Sequence, residues 1–324
     1  AGGFMGTKTA LVTGGAGFLG SHICYSLLED GWRILVADNM STGKASNLPN
    51  NVDIENIDIS SSKISGLIKK FNPNSIFHTA AQISVPTSTR KPVFDAQVNI
   101  NATIRILETF RQNGNPLKSF LFLSTGGGIY GQVDKLPASE NVKAQPLAPY
   151  GISKLAAEIY VQYFRKAYGL KTSIVRPSNI YGPRQNPDSE AGVIAIFIKS
   201  MLAKQKVNIF GDGDDQRDYI YVSDVVKGCR LAEKYSLNQP LNLGTGLSTS
   251  VNDLFQIISK LCNYNLQPNY CDRRPGDVTN ITLDSSEAKR LLGWDIKINL
   301  EEGLRKTVES FKNDKKKNSV KNNR

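Results

Sequence analysis

A short, largely apolar run from Thr9 to Thr13 passes directly into Gly14-Gly-Ala-Gly17-Phe-Leu-Gly20. The run predicts a buried strand, and the pattern after the glycines predicts a helix from about Ser21 to Asp30 with Gly31 as its stop. A second strand is expected at Arg33 to Ala37, with Asp38 at its tip. Strand, glycine turn, helix, strand and acid in this order define a βαβ unit built for a dinucleotide. Gly14 and Gly17 let the backbone turn tightly and approach a pyrophosphate. Gly20 lets helix and strand pack closely. Phe18 and Leu19 belong to the same turn, where the helix start offers free N–H groups to phosphate. The Asp38 carboxylate can accept hydrogen bonds from a ribose diol and would repel a 2′-phosphate, which favours NAD over NADP.

The rest of the first half repeats the alternation. Strands are expected at Val52 to Ile57, followed by Asp58 and Ile59, and at Ser75 to Thr79, running into Ala80-Ala81-Gln82. Further strands are expected at Phe120 to Ser124 and Lys171 to Arg176. Helices are expected at Ser60 to Phe71, Asp95 to Asn113 and Tyr150 to Ala167. Such regular alternation predicts an α/β, doubly wound parallel sheet of the Rossmann kind. Small residues at Ala80 and Ala81 let a dinucleotide lie close to the backbone. Asn99 can reach the cofactor or the fourth strand, and His78 reads as a satisfied core histidine. From Pro177 the texture becomes turn-rich. Residues 5–176 with about 222–250 are expected to form the NAD-binding domain. Residues 177–221 and 251–313 are expected to form a smaller interwoven lobe, with 314–324 a basic, frayed tail.

Candidate chemistry sits at the carboxyl end of the fifth strand. Ser124 and Thr125 end it, and Tyr150 and Lys154 lie four apart on one helical face. An ammonium beside a phenol is expected to lower the phenol's pKa and make Tyr150 a general base for an alcohol proton. A hydroxyl from Thr125, with Ser124 in reserve, can share that alcohol. A nicotinamide held by the glycine turn would take the hydride. Only two histidines are present, so a histidine-rich metal site or a Ser-His-Asp triad is excluded, and no metal is expected.

On these motifs the chain resembles the extended short-chain dehydrogenase/reductases, and most closely the UDP-glucose 4-epimerase family. Further matching motifs are Asp38-Asn39-Met-Ser-Thr-Gly43, Arg176-Pro-Ser-Asn179-Ile-Tyr-Gly-Pro-Arg184, Arg217-Asp-Tyr219 and Arg274-Pro-Gly-Asp277. The resemblance implies that Asn39, Asp58 and Ile59 lie near the adenosine end of NAD, and that Lys154 also touches the nicotinamide ribose. It implies that Asn179 contacts substrate, with Arg217 and Arg274 on a UDP diphosphate, Asp277 near the uridine ribose and Ile281 gating bulk near C2 of the sugar. The implied reaction oxidises the sugar 4-hydroxyl, turns the 4-keto sugar over and reduces it on the other face. Gly126 to Gly128 stand where related dehydratases and decarboxylases carry acids, so those reactions are not expected. UDP-N-acetylglucosamine and UDP-glucuronate remain alternative substrates. A non-catalytic NAD-sensing protein is the competing class, and retention of both Tyr150 and Lys154 argues against it.

The net charge of +11, five units of it from the tail after Phe311, suits an anionic substrate. No aromatic residue interleaves the basic tail, so no nucleic-acid partner is expected. No apolar run approaches the roughly 18 residues that span a bilayer, so no membrane partner is expected. Ala-Gly-Gly-Phe before Met5 reads as an added leader. Four cysteines without metal spacing suggest reduced thiols in the cytoplasm. By the same resemblance a homodimer is expected, formed by the helices at Asp95 to Asn113 and Tyr150 to Ala167.

Overall fold

The structure, a computed structural model, describes residues 7–113, 119–188, 192–273 and 280–322, with side chains to 315. The first half runs β1 (Thr9–Thr13), α1 (Phe18–Glu29), β2 (Arg33–Asp38), β3 (Asp53–Asn56), α2 (Lys63–Phe71), β4 (Ser75–His78), α3 (Val85–Arg90), α4 (Pro92–Ala96), α5 (Ala102–Gln112), β5 (Ser119–Leu123), α6 (Gly126–Tyr130), α7 (Pro149–Tyr168) and β6 (Lys171–Pro177). It continues with β7 (Asn179–Tyr181), α8 (Val193–Leu202), β8 (Asn208–Phe210), β9 (Gln216–Arg217), β10 (Tyr219–Tyr221), α9 (Val222–Ala232), β11 (Leu241–Leu243), β12 (Thr249–Ser250), α10 (Val251–Cys262), β13 (Asn269–Cys271), β14 (Asn280–Ile281), α11 (Ser286–Leu292) and α12 (Leu300–Asn322).

Seven strands form one parallel sheet in the order β11-β6-β5-β4-β1-β2-β3. The order reverses at β1, so β4 and β2 flank it, and their carboxyl ends form the switch point at which such sheets bind ligands. Side chains alternate faces along each strand. Leu11, Leu35, Ile76, Phe120 and Phe122 join one apolar core with Ile64 and Ile68 of α2, Ile106, Leu107 and Phe110 of α5, and Val161 and Phe164 of α7. Their strand neighbours Val12, Val36, Phe77 and Leu121 are buried too but lie outside that core, as residues facing the opposite way. The sheet is a doubly wound Rossmann fold with helices around it.

By contacts the chain divides into two compact units. The first comprises Ala1–Thr125, Ala148–Arg176 and Val226–Leu241, and the second Gly126–Leu147, Pro177–Val225 and Asn242–Arg324. In the second, β9 pairs with β12 antiparallel and with β14 parallel, and β7 pairs with β10. Among the described residues no helix is long and apolar enough to cross a membrane.

Two expectations change. The helix expected from Asp95 to Asn113 is not one regular element. Residues Gln97–Asn101 form a π-helical turn between α4 and α5, and such turns recur at functional sites. Ahead of it stands the unforeseen α3, started by Ser84, whose Oγ accepts the Thr87 N–H at 3.1 Å. The tail is not a frayed end, because α12 continues to Asn322. Lys312 Nζ donates to the Leu261 carbonyl at 3.1 Å and Lys315 Nζ to that of Leu202 at 3.0 Å. Both carbonyls lie in the last turns of α10 and α8, where a cation is favoured by the helix dipole.

Candidate active site

The glycine turn is shaped by close backbone approach. Gly14 takes φ +68, and a Cβ there would lie 2.8 Å from the backbone of Ala80. A Cβ on Gly20 would lie 2.2 Å from the Gly14 carbonyl oxygen. Gly17 caps α1 with no side-chain hydrogen bond, and the first turn, from Phe18 through Leu19, holds no acid. The first backbone N–H groups of α1 are thus left to an external acceptor, the arrangement that binds anions.

Asp38 braces this turn. Its Oδ2 accepts the Ala16 N–H at 3.0 Å and its Oδ1 the Met40 N–H at 2.8 Å. Asn39 Nδ2 donates to Asp58 Oδ2 at 2.9 Å, and Asp58 Oδ1 accepts from both N–H and hydroxyl of Ser60. Burial pushes the Asp58 carboxyl up, but these donors outweigh it and hold the group below the usual range. The Ile59 side chain lies in the apolar core. Ala80 and Ala81 follow β4, and Gln82 is clamped by Asn99. The Gln82 N–H donates to Asn99 Oδ1 at 2.9 Å, and Asn99 Nδ2 donates to the Gln82 carbonyl at 3.0 Å. Asn99 also reaches Ser153 Oγ at 3.0 Å and Asp95 Oδ1 at 3.2 Å. Its amide is therefore spent on protein partners; it shapes the loop after β4. These residues fit a dinucleotide: a glycine cradle that any side chain would fill, uncapped N–H groups beside it, and carboxylates held along β2 and β3.

Tyr150 opens α7 and Lys154 follows one turn later. A hydrogen bond joins the Thr125 hydroxyl to the Tyr150 phenol. Lys154 is 3% exposed, and its ammonium stands 4.3 Å from the centroid of the Phe122 ring. The lowered phenol expected from the Tyr-Lys spacing is not what the protein alone produces. Desolvation dominates and pushes Tyr150 up to about 12, against the pull of Thr125. Burial also pushes Lys154 down to about 8, opposed by Glu158 and Asp95. Ser124 is buried, its Oγ has no hydrogen-bond partner, and its N–H donates to Val175. Only Thr125, of the two hydroxyl candidates, touches the phenol through a bond seen here. His78 is the satisfied core histidine expected, with Nδ1 at 2.7 Å from Thr13 Oγ1 and Nε2 at 2.9 Å from Thr103 Oγ1. Burial pushes it down to about 3, so it is neutral.

In the second unit, Ile281 and Arg217 are register partners, and the Asn179 N–H donates to the Asp218 carbonyl at 2.9 Å. A Cβ on Gly127 would lie 3.7 Å from Asn179 Oδ1 and 3.8 Å from Ile281 Cγ2. The glycine run, Asn179, Arg217 and Ile281 therefore come together from four separate stretches of chain. Asp218, which the sequence reading passed over, ties that cluster. Its fully buried carboxylate accepts from the Ser178 hydroxyl and from the backbone N–H groups of Thr245, Gly246 and Leu283. An acid inside a run of strand formers was the available signal. Arg274 and Asp277 lie outside the described residues.

A family profile described as the NAD dependent epimerase/dehydratase family matches residues 10–244. A curated relative, a putative UDP-glucose 4-epimerase of Methanocaldococcus jannaschii, is 41% identical over 94% of this chain and 98% of its own. Among solved structures, a UDP-glucose 4-epimerase with UDP-glucose from Thermotoga maritima superposes with TM-score 0.92 at 44% identity, covering 94% of this chain and 99% of that one. A Thermus thermophilus UDP-glucose 4-epimerase in complex with NAD does so with TM-score 0.88 at 37% identity, covering 94% and 99%.

Proposed function

The chain belongs to the NAD dependent epimerase/dehydratase family, and we propose that it is an NAD-dependent 4-epimerase interconverting UDP-glucose and UDP-galactose through a 4-keto sugar. The observation that carries the reading is the phenol of Tyr150 bonded to Thr125, one turn from the buried Lys154. Gly14, Gly17, Gly20 and the first turn of α1 would hold the pyrophosphate, with Asp38, Asn39 and Asp58 along the adenosine and Ala80 to Gln82 beneath the nicotinamide half. Bound NAD supplies the hydride acceptor and donor, and the positive charge of its oxidised ring.

Tyr150 takes the proton of the sugar 4-hydroxyl. Its high pKa in the protein alone leaves little phenolate near neutral pH, so positive charge beyond the protein's own must bring it down. That charge would come from the oxidised ring of bound NAD, beside Lys154, and the Thr125 hydroxyl donates to the phenolate as it forms. Arg217 and Arg274 would hold the diphosphate, because guanidinium forks suit phosphate oxygens. Asp277 would meet the uridine ribose, and Asn179 and Ile281 the sugar. Anchoring the diphosphate while leaving the sugar free lets both faces of C4 meet the same base.

The test is incubation of the purified protein with UDP-galactose without added NAD, beside UDP-N-acetylglucosamine and UDP-glucuronate. UDP-glucose is the expected product, and Tyr150→Phe should abolish its formation while leaving bound NAD. Inertness toward all three substrates would sink the reading.

We also infer a homodimer. Val93 and Phe94 of α4 and Ile152, Ile159 and Tyr163 of α7 are exposed apolar side chains. The last three, spaced seven and four apart, form one stripe. Sedimentation equilibrium should give twice the chain mass, and a monomer for Ile159→Asp; a monomeric parent refutes it. All four cysteines are free, which suits the cytoplasm.

A further inference from the structure

Asp95 is a buried carboxylate whose function the foregoing leaves unassigned. It lies in α4, directly before the π-helical turn, and is 1% exposed. The side-chain donors it receives are neutral amides. Gln82 Nε2 donates to its Oδ1 at 2.8 Å, and Asn99 Nδ2 donates to the same oxygen at 3.2 Å. Asn99 Nδ2 also donates to the hydroxyl of Ser153, the residue before Lys154. One amide group therefore links the carboxylate to the helix turn that carries Tyr150 and Lys154. A charge this deeply buried is costly unless an opposite charge or donors compensate it.

We propose that Asp95 is a positioning residue of the redox site: its Oδ1 fixes the Asn99–Gln82 clamp, and its negative charge joins that of Glu158 in balancing the buried Lys154 ammonium. The proposal rests on the reading of Tyr150 and Lys154 as that site. Two acids act on Lys154, Glu158 first and Asp95 second. On its own helix, Tyr150 is neutral, and Glu158 is shared with Arg176. Glu158 accepts from Arg176 Nε at 2.9 Å and from its NH2 at 2.6 Å, a bidentate pair. From β4, His78 is neutral, and from β5 Phe122 offers only its ring face. Asp95 is thus the second acid acting on Lys154 and, among the described residues, is bonded to amides where Glu158 is paired with a cation. Its charge acts in one direction on each partner, holding the proton on Lys154 and also on the Tyr150 phenol. Lys154 keeps its charge near neutral pH although burial alone would strip it further.

Hydrogen bonding and charge can be separated, because both amides bond the same oxygen. Asp95→Asn keeps an acceptor at Oδ1 and removes the charge; Asp95→Ala removes both. The direct measurement is the Lys154 titration in the full chain, followed by NMR of ε-13C-lysine, with Lys154→Arg to assign the signal. The Asn variant should titrate about one unit or more below the parent, the size of an opposite charge acting nearby. Its NAD content should match the parent's, whereas the Ala variant should lose NAD as the Gln82 loop loosens. In turnover, the alkaline limb of kcat should move down with the Lys154 titration while KM stays in place. An unchanged Lys154 titration in the Asn variant overturns the proposal, as does NAD loss equal to that of the Ala variant. The titration needs no turnover, so inactivity toward every UDP-sugar would defeat the proposed function and still leave this test to be decided.

Discussion

Replacing Gly20 with alanine tests whether the glycine turn sets the cofactor site. The new methyl carbon would stand 2.2 Å from the Gly14 carbonyl oxygen and 2.8 Å from Gly15 Cα. Ordinary contact begins near 3.4 Å, so the closer approach is short by more than an ångström. Both obstacles are backbone atoms and cannot rotate aside. Relief requires the start of α1 to back away from the turn. Overpacking of this kind costs about 1–3 kcal/mol, and rigid obstacles place it at the upper end. The same retreat withdraws the N–H groups that would meet a pyrophosphate, and hydrogen bonds weaken steeply with lost geometry. NAD released from the denatured protein should fall at least about tenfold per mole of chain, which corresponds to ~1.4 kcal/mol of binding. Urea unfolding should show the stability loss in parallel. Gly66→Ala in α2 is the control, because nothing lies within 4 Å of its new methyl. It should be neutral or gain about 0.5–1 kcal/mol, as alanine normally does over glycine within a helix. A Gly20→Ala protein with parental NAD and parental stability would refute the argument.

Thr125→Val should lower kcat about 10- to 150-fold, the worth of one hydrogen bond to a charged group at about 1.5–3 kcal/mol. Ser124→Ala should keep most activity, because its buried Oγ has no partner to lose; equal losses in the two would remove Thr125 from its assigned place. Arg176→Met leaves Glu158, with a side chain 1% exposed, buried and unpaired, and should cost about 3–5 kcal/mol in urea unfolding. The double variant with Glu158→Leu should recover most of it, and a loss under about 1 kcal/mol for the single change would contradict the buried pair. His78 is neutral down to about pH 3, but its ordinary value is 6.5. The unfolded chain therefore binds a proton that the fold refuses, and stability falls as pH drops from 6.5 toward 3. His78→Gln should flatten that part of the stability curve, and an unchanged slope would show that other groups carry it.

The glycine turn and the alternation of strands around it were readable in advance because their signals are local. Gly14 to Gly20 span seven residues, and their need for close approach is written in the missing side chains. Asp38 at a strand tip and Tyr150 with Lys154 depend only on strand direction and helical spacing. Strand alternation fixed the sheet type for the same reason, since burial on both faces leaves short apolar runs between helices. Element edges moved where tertiary contacts intervene. Asn99 lies within the π-helical turn, and its amide reaches Gln82 and Ser153, 17 and 54 residues away.

The state of the site was a different matter. The sequence alone established a glycine turn after a strand, a hydroxyl pair, a tyrosine and a lysine, and no acid among Gly126 to Gly128. Only the folded chain decided that Thr125 reaches the phenol, that Ser124 does not, and that the protein alone raises Tyr150. It alone revealed Asp95 and Asp218 as buried hubs. The physical reason is that motif spacing records covalent and helical neighbours, whereas desolvation and charge balance sum over atoms brought together by folding. A pKa is set by that sum, so a base can be named from its neighbours in sequence while its strength belongs to the tertiary structure.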